Sequence, residues 1–283
     1  MIRSKYLGVL LMCLCWNSIL SGQTLYEKQT ITEGKFSIFT TDKLLNCYVV
    51  DSDNKLIKYN LQGEVVFEYT NNTLGAVGQV DATDPFNVLL FYPDYQTLVF
   101  LDRTLTETQR IDLFELDIFE VQTVCLSKEH QIWLYDANTF QLKRIDQNGT
   151  VRQESDDLRL LFGASFDVIQ LQEQGTHLYV NTAETGIFIF DIFGTYLTRL
   201  DFDTHIQHTQ VINEQLVFLE NDRLSVYDLT SKLTRTLWQD TATLKGFHIQ
   251  KDKMYLQQVE QIDSGLRMYD KEVSTIFVVC DFQ

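Results

Sequence analysis

The chain has 283 residues, of which 22% are charged, 45% hydrophobic and 12% aromatic, and only two are proline. That apolar content excludes a disordered, collagenous or low-complexity protein, because enough surface can be buried to offset the entropy of ordering. With 23 Lys and Arg against 39 Asp and Glu the net charge is −16, which argues against nucleic acid or an anionic membrane as the main partner.

Residues 1–22, MIRSKYLGVLLMCLCWNSILSG, place Arg3 and Lys5 before an apolar stretch from Tyr6 to Trp16 and then small and polar residues. This is the layout of a secretory signal peptide, with a run short for a membrane span. Cleavage near Gly22 is expected, leaving a single domain over 23–283 that is exported to the periplasm or beyond. Loss of two basic and no acidic residues takes the charge from −16 to −18. Cys47, Cys125 and Cys280 remain, far from any CxxC spacing, and read as buried thiols with at most one disulfide.

A repeat then runs through the chain. LIKYN, LVFLD, LKRID, IFIFD, LSVYD and LRMYD end at Asn60, Asp102, Asp146, Asp191, Asp228 and Asp270, at intervals of 42, 44, 45, 37 and 42 residues. Each is preceded by a second alternating run, from CYVVD at Cys47 to KMYLQ at Lys253. Gly63, Gly149 and Gly194 follow three of the terminal residues at a fixed offset, as expected for turns needing positive φ. β-Branched and aromatic residues fill the runs, and short polar stretches between them suit hairpins. Four strands per unit are expected: KFSIF, CYVV, LIKY and VVFEY in the first, GFHIQ, KMYLQ, GLRMY and STIFVV in the last. TLYEKQTI, following the signal, is a candidate to add a strand to the last unit and hide its edge.

A period near 43 residues with four strands is the signature of a propeller blade. The unit resembles those of the six-bladed propellers of the NHL and TolB-like group, with LYVNTAETGIFIFDIFG as the best match and Pro93 and Thr104-Leu105 as departures in the second repeat. The resemblance implies an all-β fold, a six-bladed β-propeller of four-stranded antiparallel blades. Similar propellers commonly serve as interaction modules, so the leading expectation is a non-catalytic platform for a protein partner in the cell envelope. Some six-bladed propellers are calcium-dependent lactonases or esterases, and others bind carbohydrate; both alternatives stay open, the latter through Tyr92, Tyr95 and Phe140.

In a four-stranded meander the connection into each blade and the turn between its second and third strands share one face, called here the connection face. Asp51, Asp53, Asp94, Asp136, Glu184, Glu220, Asp222, Glu260 and Asp263 fall on it, whereas Lys43, Arg103, Lys128, Lys232, Lys251, Lys253 and Lys271 fall on the opposite face. An acidic face favouring basic proteins or cations is therefore expected. Two connections on it are apolar: DLFELDIFE, with Leu113, Phe114, Leu116, Ile118 and Phe119, and DLRLLFGASF, with Leu158, Leu160, Leu161, Phe162 and Phe166. Inward packing is the simpler reading of these side chains. The sharper one is a platform in which Leu160, Leu161, Phe162, Phe114 and Phe119 contact the partner.

No catalytic constellation is recognised. Asp201, Asp203 and His205 in DFDTHIQH alternate and would point to one side of an extended chain, with His208 as a fourth candidate metal ligand, but a solvated polar loop explains them more simply. DSDN at Asp51 lacks the glycine and glutamate of a calcium loop, at Leu56 and Gln62, and reads as a turn. No cofactor is expected, calcium being the one ion the resemblance allows.

Overall fold

A computed structural model describes residues 26–33, 36–163, 167–183, 186–202, 206–220, 223–239, 243–259 and 264–270. β1 spans Tyr26–Glu33. The next four strands form one sheet: β2 (Phe36–Thr41), β3 (Cys47–Asp51), β4 (Lys55–Tyr59) and β5 (Val65–Thr70). The second holds β6 (Gln79–Asp81), β7 (Val88–Tyr92), β8 (Thr97–Leu101) and β9 (Glu107–Asp112), and the third β10 (Val121–Leu126), β11 (Ile132–Asp136), β12 (Gln141–Ile145) and β13 (Val151–Glu154). After helix α1 (Leu158–Phe162) come β14 (Val168–Gln174), β15 (His177–Thr182), β16 (Gly186–Asp191) and β17 (Tyr196–Leu200). The fifth sheet holds β18 (His208–Ile212), β19 (Gln215–Glu220), β20 (Arg223–Asp228) and β21 (Thr234–Gln239).

These five sheets are antiparallel meanders of consecutive strands. A further sheet is composite: β22 (Thr243–Gln250), β23 (Lys253–Val259) and β24 (Ser264–Asp270) are completed by β1, which pairs with β24. The fourth strand of the last unit is thus supplied from the N-terminal side of the chain. STIFVV, expected in that role, lies outside the described residues, as do residues 1–25.

Burial explains why the repeats read as they do. Middle strands such as β7 and β8 are buried at every position because each sheet is covered on both faces, so they become continuous apolar runs. The outer β5 and β13 are mostly exposed. Apolar clusters fill the spaces between consecutive sheets: Tyr48, Val50 and Leu56 pack with Val88, Leu90 and Val99, and Trp133, Tyr135 and Leu142 with Val180, Phe188 and Phe190. Ile31 of β1 joins Cys47, Val49, Tyr59 and Tyr255 where the composite sheet meets the first. The architecture is a β-propeller of four-stranded blades.

The residue ending each repeat has a mechanical role. At Asn60, Asp102, Asp146 and Asp191 the side-chain Oδ1 accepts the backbone N–H groups two and four residues on. The short side chain thereby folds the turn into the outer strand. The third residue after it is left-handed, with φ of 78°, 60°, 80° and 85° at Gly63, Leu105, Gly149 and Gly194. Leu105 therefore adopts the glycine conformation, and the second repeat departs in sequence but not in geometry.

Between blades, glutamine side chains act as extra ladder rungs. Gln79, Gln170, Gln172 and Gln210 each donate to a backbone carbonyl of the next innermost strand and accept the N–H of the same residue: Val124, Thr209, Val211 and Ile249 respectively. A primary amide offers the same donor and acceptor pair as a peptide group, so it satisfies inward-facing backbone that no neighbouring strand reaches.

Candidate partner-binding face

Leu158 and Phe162 stand four apart on α1 and share its inner side, whereas Leu160 and Leu161 point away. The helix is set by Asp157, whose side chain accepts the Arg159 N–H at its start, and by Gly163 at φ 73°, which caps its end. Leu158 is buried in the core. Phe162 packs on Phe188 and Tyr196, with ring centroids 4.5 and 4.9 Å away. Leu160 is 84% exposed and Leu161 43%. Phe162 is thus half-buried, packed on the core from the inner side of the helix.

The other apolar connection divides the same way. Leu113 and Ile118 are buried, and Leu116 packs against the cluster in which Phe91 and Phe100 of the second sheet meet Ile132 and Leu134 of the third. Phe114 and Phe119 are exposed, with ring centroids 6.3 Å apart. A short 3-10 turn over Phe114–Leu116, ended by left-handed Asp117, throws these two rings outward. Tyr95, in the β7–β8 turn of the same face, is also exposed. Phe166 lies outside the described residues.

Carboxylates surround these side chains. Asp112, Glu115, Asp117 and Glu120 flank the two phenylalanines, and Asp156 and Asp167 flank α1, all exposed. Arg159 is neutralised locally. It pairs with Asp157 at 2.7 Å and lies 3.7 Å from the Phe140 ring centroid. Its hydrogen bond holds the Asp157 carboxyl below the usual carboxylate range.

The acidic character does not come from all the residues expected to supply it. Asp136 is fully buried and accepts from Lys143 Nζ at 2.6 Å, and Glu220 is buried against Ser225 and Arg223. Asp51 folds its own turn by accepting the Asp53 and Lys55 N–H groups. Glu184, Asp222, Glu260 and Asp263 lie outside the described residues. Among the described residues the opposite face is mixed rather than basic, because the repeat-ending Asp102, Asp146, Asp191 and Asp228 fall there with Asp84, whereas Lys253 is buried.

Of the candidate metal ligands, the described residues include Asp201 and His208. Asp201 is exposed and paired with Arg199 at 2.6 Å. His208 sits on the innermost strand of the fifth blade with its ring edge-on to Phe247 at 4.9 Å, and burial lowers its pKa to about 4. Asp203 and His205 lie outside the described residues. Among the described residues no three His, Cys, Asp or Glu side chains are grouped to hold a metal ion. Of the aromatics considered for carbohydrate, Tyr92 is fully buried and Phe140 is covered by Arg159, leaving Tyr95 accessible. Cys47 and Cys125 are free and buried, and burial raises both thiol pKa values; Cys280 lies outside the described residues.

No family model matches the chain, and no curated protein sequence matches it. Among solved structures it is similar to the WD40 domain of Neurospora crassa Pan2, at 11% identity over 80% of this chain and 76% of that one, with a TM-score of 0.56. The likeness is one of fold. The computationally designed Ika8 protein aligns at 14% identity over 84% and 72% of the two chains, TM-score 0.50. BamB from Moraxella catarrhalis aligns at 12% identity over 81% and 68%, TM-score 0.49. WD40 repeats build propellers, in agreement with the blade topology above.

Glutamines are the structural side chains that sequence reasoning missed. Gln79, Gln170 and Gln210 recur in the innermost strands, a periodic signal that is visible once innermost strands are aligned.

Proposed function

We propose that this chain is an exported, non-catalytic six-bladed β-propeller of the NHL and TolB-like kind that binds a protein partner on its connection face. The six-blade count is supported by the composite sheet and by contacts of its innermost strand with both ring neighbours, β18 and β2. The binding reading rests on one observation above the others: Leu160 is 84% exposed on a capped five-residue helix whose other face is fixed in the core. Presenting that side chain and Leu161, Phe114 and Phe119 to water costs solvation free energy that a partner surface recovers. The carboxylate rim selects a partner with a basic border around an apolar centre, and would hasten its encounter at low salt. The leader-like residues 1–22 support an encounter in the cell envelope.

A photo-crosslinking residue at 160 in the native host tests this. One envelope protein should be captured at 160 and at 119 but not at 44, exposed in the β2–β3 turn of the opposite face, and Phe119→Asp and Leu160→Asp together should abolish capture from position 161. Equal capture from 44 would defeat the reading.

A further inference from the structure

The junctions between consecutive sheets are not all held by the same chemistry. From the first sheet to the fifth, side-chain amides do the bridging: Asn54 binds Gly75 O and Val77 N–H, Gln79 serves Val124, Gln122 accepts from Val168 N–H, and Gln170 serves Thr209. The composite sheet differs. Its innermost strand, β22, meets β2 through a histidine, with His248 Nδ1 2.6 Å from Thr41 Oγ1. On its other side Gln210 is joined by a second histidine, His208 of β18, whose ring stands edge-on to Phe247. Directly opposed residues of an antiparallel pair share a face. His208 lies opposite Leu219, which packs between the fifth and composite sheets, and His248 lies opposite Tyr255, which packs on Cys47 and Val49 of the first. One histidine therefore sits in each of the two junctions that hold the composite sheet in the ring.

An amide carries no titratable proton near neutral pH, whereas an imidazole does. Both histidines are half-buried. The titratable groups on the elements packed around them offer no counter-charge among the described residues. Asp42, at the end of β2, is occupied by Leu44, Asn46 and Tyr48. Burial raises the pKa values of Cys47 and Tyr255, which stay neutral. Glu173 of β14 holds Ser127 and Trp133, Glu220 of β19 holds Ser225 and Arg223, and Lys245 of β22 is exposed. Burial disfavours a proton on either ring, and a charge on His208 further disfavours one on His248. Thr41 Oγ1 can still accept from a protonated ring, so the cost lies in the charge and not in a lost hydrogen bond.

We propose that the composite sheet is an acid-sensitive clasp: protonation of His208 and His248 loosens β22 from β18 and β2 and opens the ring at this one place, while the amide-bridged sheets stay packed. The sign follows from linkage. The clasp is fully held above about pH 6.5, the ordinary imidazole value, and weakens as pH falls below it, because the open form takes up the protons first. The device is separate from the connection-face patch and does not depend on it.

Native-state hydrogen exchange of the mature chain at about pH 7 and about pH 4.5, corrected for intrinsic exchange rates, tests this. Between the two conditions protection of residues 244–256, in β22 and β23, should fall at least about tenfold more than protection of residues 88–101, in β7 and β8. His208→Gln with His248→Gln should abolish the difference, since glutamine keeps a hydrogen-bonding side chain and gains no charge. If the double variant does not fold, His208→Gln alone should reduce the difference, because it removes one of the two charges. Equal loss of protection in both segments would mean that acid unfolds the ring as a whole, and would overturn the proposal. So would unchanged protection of 244–256, or a local loss that persists undiminished in the histidine variants.

Discussion

Gln210 offers the sharpest test of how the blades are joined. Its side chain is 9% exposed, donates to Ile249 O at 2.8 Å and accepts Ile249 N–H at 2.7 Å. Ile249 itself is 2% exposed. Gln210→Leu preserves most of the volume but strands one buried donor and one buried acceptor on the neighbouring strand. Each orphaned group costs about 1–3 kcal/mol, so the variant should lose about 2–6 kcal/mol. At about 2–4 °C per kcal/mol for a domain of this size, the melting point should fall by roughly 4–24 °C. Urea unfolding followed by tryptophan fluorescence gives the free energy directly. Gln207→Leu is the internal control. Gln207 is exposed, so its cost should stay below about 0.5 kcal/mol. If Gln210→Leu were no more damaging than Gln207→Leu, water would be replacing the amide and the ladder-rung argument would fail.

Three further outcomes follow from the same contacts. His208 and His248 are held neutral by burial, with pKa values lowered to about 4 and about 3. The unfolded chain takes up their protons first, so stability should be flat above about pH 6.5 and fall as pH drops towards 4; His208→Gln together with His248→Gln should flatten that fall in urea midpoints measured across the window. Phe162→Asp buries a carboxylate against Phe188 and Tyr196 and should destabilise by about 3 kcal/mol or more, whereas Leu160→Asp should change the melting free energy by less than about 0.5 kcal/mol; equal effects would contradict the inward and outward assignment. Gly149→Val meets both a left-handed backbone and the Leu116 methyls and should cost about 1–3 kcal/mol in thermal unfolding, while Gly175→Val, with open space around it, should cost less.

The blade period was legible because strand alternation and a turn-forming Asp or Asn recur together. What the sequence could not separate was the two sides of the apolar connections. DLRLLFG contains four apolar residues in five positions, and only once it is read as a capped helix does the spacing of Leu158 and Phe162 turn them inward. Asp136 and Glu220 were placed on the surface because a turn position was equated with exposure. Each sits at a strand end where Lys143, or Ser225 with Arg223, meets it inside. The outer strand of the composite blade was ambiguous for a different reason: β-propensity marks both TLYEKQTI and STIFVV as strands but carries no information on which one an edge accepts.

The pairing of Tyr26 with Asp270 also fixes the order in which this chain becomes complete. Of the described strands β1 is synthesised first, and its partner β24 last. Until then β1 is an uncommitted strand and the first blade has one side unprotected, so the finishing contact is the longest-range strand pairing among the described residues and among the slowest to form. A chain interrupted shortly before residue 264 would present both an orphan strand and an open blade, the two halves of an intermolecular exchange. Placing β1 and β24 in one sheet makes closure of the ring conditional on synthesis of every blade between them.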